Sequence, residues 1–66
     1  MPWTFKFSKE SNHAPPPEGV VSLSFEFQDD DGARKSILVY LPIGYSEEQL
    51  TNAIFETKEH LDAGEL

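Results

Sequence analysis

The chain has 66 residues, no cysteine, and a formal net charge of −7 at pH 7, from 12 Asp and Glu against 5 Lys and Arg. One domain is the most this length allows, disulfides are excluded, and with only His13 and His60 to add to carboxylates a zinc site of ordinary spacing is excluded too. The charge argues against nucleic acid or an anionic membrane as a direct ligand, because both are bound by Lys and Arg neutralising phosphates.

The apolar runs are far shorter than a bilayer requires, and no basic segment leads an apolar one, so a cytoplasmic protein is expected. A core of this size rarely supplies more than roughly 3–5 kcal/mol, and small folds make up the deficit with disulfides, metals or a second subunit. With the first two excluded, a homodimer is expected.

Aromatic and polar residues alternate through Trp3-Thr4-Phe5-Lys6-Phe7-Ser8, which predicts a first strand at about 3–8 with Trp3, Phe5 and Phe7 on one face. Pro15-Pro16-Pro17 fixes three φ angles and removes three donors, so residues 9–19 read as a stiff extended loop ending at Gly19. His13 falls in that loop.

Val21, Leu23, Phe25 and Phe27 alternate with Ser22, Ser24, Glu26 and Gln28, predicting a second strand at about 20–29 with one dry face. A third follows at about 33–41. A two-residue turn at Asp31-Gly32 would set the apolar faces of these strands at odds. A three-residue loop, Asp30-Asp31-Gly32, pairs Phe25 with Ile37, Leu23 with Val39 and Val21 with Leu41, and that register is expected. The run Asp29-Asp30-Asp31 invites a calcium reading, but an EF-hand spreads its ligands over twelve residues. Adjacent carboxylates on a turn serve to solvate it.

Pro42 ends the third strand, and Ser46-Glu47-Glu48-Gln49 is a capping box with Tyr45 and Leu50 at staple positions. Gly64 supplies a left-handed stop, so a helix is expected from about 47 to 63. Leu50, Ala53, Ile54, Thr57 and Leu61 form the stripe that covers the sheet. The expected fold is α+β, a three-stranded antiparallel sheet in the order β-β-β-α, with one amphipathic acidic helix at the C-terminal end. A simple meander is favoured over a crossed first strand.

The residues that the core does not need carry the functional expectations. Phe55 lies about 140° around the helix from Leu50, on the wet side with Glu48, Glu56, Glu59 and Asp62. The helical segment carries Glu47, Glu48, Glu56, Glu59, Asp62 and Glu65 against a single Lys58. Such a face steers encounter with a basic groove, and Phe55 would be the buried anchor. Leu38 and Tyr40 point away from Ile37 and Val39, and with Ile43 they mark a second sheet face for an oligomer interface. Catalysis finds no nucleophile with a base in reach, no glycine-rich phosphate loop, and little volume for a pocket. Glu56 and His60, one helical turn apart, read as an exposed ion pair.

Phe27-Gln28-Asp29-Asp30-Asp31-Gly32, followed by a strand and an acidic helix, resembles the hairpin and helix of the phage inhibitors of uracil-DNA glycosylase. The likeness covers less than half of the chain, and here an aromatic strand precedes the hairpin. It implies an inhibitor that imitates nucleic acid.

The expected function is therefore a non-enzymatic interaction module that docks on a basic protein surface, such as that of a nucleic-acid-handling enzyme. The other reading is a small homo-oligomeric or structural subunit built on the second sheet face. Neither requires a cofactor, a metal or a catalytic residue.

Overall fold

A computed structural model of the chain describes residues 2–11 and 16–66. Strand β1 spans Thr4–Glu10, β2 Val20–Gln28 and β3 Arg34–Pro42, and helix α1 spans Glu47–Asp62. The sheet is an antiparallel meander in the order β1-β2-β3. The architecture is the expected α+β one. His13 and Pro15 lie outside the described residues.

The β2–β3 hairpin closes in the register that the apolar pattern requires, with Phe25 opposite Ile37, Leu23 opposite Val39 and Val21 opposite Leu41. Asp29 organises the turn. Its Oδ1 accepts from the backbone N–H of Asp31 at 2.9 Å and of Ala33 at 2.8 Å, and its own N–H donates to the Ala33 carbonyl at 3.0 Å. Gly32 sits at φ 87°, a left-handed conformation that a side chain would strain. The aspartate run is thus an Asx-type turn.

β1 departs from expectation. Phe5 pairs with Phe27, but the next paired residue is Phe7, opposite Glu26, so Lys6 is the extra residue of a β-bulge. Phe5 keeps the core face, where its ring meets those of Phe25 and Phe27 edge to face at centroid distances of 5.9 and 5.6 Å. Phe7 is turned to the opposite face, contrary to the even alternation of Trp3, Phe5 and Phe7. Past the bulge, Ser8 pairs with Phe25 and Glu10 with Leu23. The strand therefore continues two residues beyond its expected end, because backbone hydrogen bonding does not need an apolar side chain at every inward position.

Helix α1 begins at the predicted capping box. The Ser46 Oγ accepts from the Gln49 N–H at 3.1 Å, and the Gln49 Oε1 accepts from the Ser46 N–H at 2.9 Å. It ends at Asp62, one residue short of expectation, with Ala63 as the cap and Gly64 at φ 76°. Leu23, Phe25, Phe27, Leu41 and Leu61 are buried, and Trp3, Phe5, Leu50, Ala53 and Ile54 pack against them. Thr57 is buried within this layer with its hydroxyl satisfied, donating to the Ala53 carbonyl at 2.8 Å. No helix among the described residues is long and apolar enough to cross a membrane.

Candidate functional site

The molecule has two layers, so two broad surfaces remain: the outer side of α1 and the outer side of the sheet. On α1, at 100° per residue, Glu48, Phe55, Glu59 and Asp62 fall within an arc of about 60°, with Glu56 on its shoulder. All five are exposed, and Phe55 keeps 60% of its surface in solvent. The structure therefore brings together the residues expected to bind a partner.

One of them is engaged within the chain. The Asp62 carboxylate accepts from Lys58 Nζ at 2.5 Å and from the Trp3 N–H at 2.7 Å, tying the start of β1 to the end of α1. The Lys58 ammonium, followed by the Trp3 N–H, holds this carboxyl below its ordinary range. The face offered to a partner is centred on Glu48, Phe55 and Glu59. His60 pairs with Glu65 rather than Glu56, its Nδ1 lying 2.6 Å from Glu65 Oε1. The reversal at Gly64 brings Glu65 back towards the helix.

The outer side of the sheet is more apolar than alternation in β2 and β3 alone implies. Leu38 and Tyr40, at 51% and 49% exposure, stand opposite Ser24 and Ser22. The bulge adds Phe7, at 50%. Ser24 is partly exposed between its larger neighbours, whereas Ser22 is buried, its hydroxyl donating to the Ser11 carbonyl at 3.0 Å. Ile43, 68% exposed, follows β3 in the turn to the helix, where its N–H donates to the Gly19 carbonyl at 3.1 Å.

At the hairpin end of this face a hollow of about 170 Å³ is lined by Lys6, Phe7, Glu26, Phe27 and Arg34. Glu26 is oriented by a hydrogen bond from the Ser36 hydroxyl on the neighbouring strand. Lys9 pairs opposite Ser24 on the same face. Three of the chain's five cationic residues thus lie on this face, Lys6 and Arg34 beside Glu26 in the hollow and Lys9 further along β1, with the acidic turn of residues 29–31 beyond its hairpin end. The charge of the molecule is sorted: a negative helix on one side, a mainly positive and apolar sheet on the other.

Phe7, Lys6 and Arg34 were not distinguished by sequence reasoning, which placed Phe7 on the same face as Trp3 and Phe5. Among the described residues no group of three or more His, Cys, Asp or Glu side chains is arranged to hold a metal ion. No family model, curated protein or solved structure matches the chain.

Proposed function

We propose that this protein is a non-enzymatic interaction module that docks through the α1 face centred on Phe55 onto a basic protein surface. The observation that carries the reading is a large aromatic, 60% exposed, set between Glu48 and Glu59 on a rigid helix that uses its other side to cover the core. Aromatic anchors ringed by polar groups supply most of the energy at protein interfaces, and the surrounding charge sets orientation and encounter rate. In its narrower form the module inhibits a nucleic-acid-handling enzyme, offering helical carboxylates to a groove that ordinarily receives phosphates. The 170 Å³ hollow is smaller than the several hundred Å³ of ordinary substrate pockets, which favours binding over catalysis.

The experiment is affinity capture by the wild-type protein and by Phe55→Asp at low and high ionic strength. The reading requires a basic partner that the wild type holds at low salt and sheds at high salt, and that Phe55→Asp does not hold. Equal retention by both proteins contradicts it.

A second reading is supported by the bulge at Lys6. With Phe7 added to Leu38 and Tyr40, the outer sheet face carries three large apolar side chains, and exposed Ile43 follows in the turn after β3, which suits a surface covered in an assembly.

A further inference from the structure

We propose that the two surfaces are halves of one interface: the α1 face of one copy docks on the outer sheet face of the next, with Phe55 seated in the hollow between Lys6 and Arg34. This inference rests on the reading that the Phe55 face is an interaction surface, and it identifies the partner as a second copy of this chain.

Size is the first support. The hollow beside Phe7, open to solvent and bordered by Lys6, Glu26 and Arg34, measures about 170 Å³, room enough for one aromatic ring, which needs about 150 Å³. From Glu48 to Glu59 the helix face runs roughly 16 Å at 1.5 Å per residue. The outer face of β3 from Arg34 to Tyr40 runs roughly 20 Å. A helix about 10 Å across matches three strands spaced about 4.8 Å apart. The helix would lie over Ser24, between Leu38 and Lys9, with the hollow at its hairpin end.

Charge is the second. Glu48 and Glu59 share the exposed face of Phe55, while Lys6 and Arg34 line the hollow beside Glu26, and Lys9 stands further along the same sheet face, so docking sets helix carboxylates against a mainly cationic surface. The net charge of −7 opposes approach at long range. Screening over about 10 Å at 0.1 M salt leaves the contacting pairs to decide the outcome.

Charge also decides the symmetry. Packing two outer sheet faces against each other would oppose Lys6, Lys9 and Arg34 with only Glu26 to pair them, and like charges at close range disfavour that arrangement. Helix on sheet opposes like charges only at Glu26, whose carboxylate already accepts from the Ser36 hydroxyl, against the three cations of the face. The interface is therefore heterologous, one surface meeting a different one, and it propagates beyond two copies. A helix laid on three strands covers less than the roughly 800 Å² per partner of a standard interface, so the association is weak and concentration-dependent.

A complementation experiment tests this. Phe55→Asp spoils the helix face and leaves the hollow intact; Arg34→Glu spoils the hollow and leaves the helix face intact. Both side chains are exposed, and circular dichroism confirms that each variant is folded. By sedimentation at physiological salt, the wild type is expected to gain average mass with concentration beyond a dimer. Each variant alone should associate at least about tenfold more weakly, a difference of about 1.4 kcal/mol. Their mixture should form a one-to-one complex and nothing larger, because each pair retains one good interface. A wild type that stays monomeric at millimolar concentration overturns the inference. So does a Phe55→Asp protein that self-associates like the wild type, or a mixture no more associated than its components. If the wild type is monomeric yet captures a basic partner in a Phe55-dependent way, self-assembly alone falls and the docking reading stands.

Discussion

Phe5 and Phe7, separated by one residue in a single strand, lie on opposite faces of the sheet: Phe5 packs edge to face on Phe25 and Phe27, while Phe7 stands half exposed opposite Glu26. Their substitution should therefore have unequal effects. Phe5→Ala removes ring contacts within the core and should cost about 2–3 kcal/mol. Phe7→Ser should change stability by no more than about 0.5 kcal/mol, as surface substitutions do. Urea unfolding of the two variants checks this, and equal losses would place Phe7 in the core.

Phe25 and Phe27 are fully buried. Truncating a buried Phe costs about 3–5 kcal/mol, which is about all that a core of this size supplies. Phe25→Ala is expected to leave the chain unfolded at room temperature, with its far-ultraviolet dichroism lost. A folded, cooperative variant would show that stability comes from elsewhere, assembly included.

Asp29 accepts two backbone N–H groups across the hairpin turn, and for Asp30 and Asp31 the structure shows no equivalent role. Asp29→Ala should cost about 1–2 kcal/mol, while Asp30→Ala and Asp31→Ala should each stay within about 0.5 kcal/mol. Thermal melts distinguish the three. Equal losses, or stabilisation by calcium that any one of the changes abolishes, would mean that the carboxylates act together as ligands.

Asp62 titrates below its ordinary value of 3.8 because Lys58, and after it the Trp3 N–H, favour its charged form. The folded pKa is lower than the unfolded one, so the carboxylate's contribution is complete above the unfolded value. It is lost as pH falls through the folded pKa. Asp62→Asn should lower stability at neutral pH and flatten its decline below about pH 4. Both groups are solvent-accessible, which keeps the effect small. Urea midpoints from neutral to acid pH test it, and parallel curves for the variant and the wild type would remove Asp62 from the account.

Most of the fold was legible because local signals agreed. Ile37, Val39 and Leu41 matched Phe25, Leu23 and Val21 in only one loop length, and Gly32 supplied the left-handed position that this loop demands. Ser46, Gln49 and Gly64 marked the helix ends, and the spacing of Leu50, Ile54, Thr57 and Leu61 marked its buried side. The bulge was not legible. Trp3, Phe5 and Phe7 alternate without a break, and one inserted residue reverses the facing of all that follows while leaving the pattern of residue types unchanged. The candidate surfaces divided in the same way. Phe55 stood out because a helix has a fixed angular period, whereas the hollow at Lys6, Phe7 and Arg34 exists only once β1 and β3 are placed on either side of β2.

The central claim is that the acidic helix face and the outer sheet face are partners. The most direct measurement is a concentration series of amide nuclear magnetic resonance spectra of the wild-type protein at physiological salt. The account predicts that signals of Glu48, Phe55 and Glu59 shift together with those of Phe7, Glu26 and Arg34, along one binding curve. Shifts confined to the sheet face, or spectra that do not change with concentration, would contradict it.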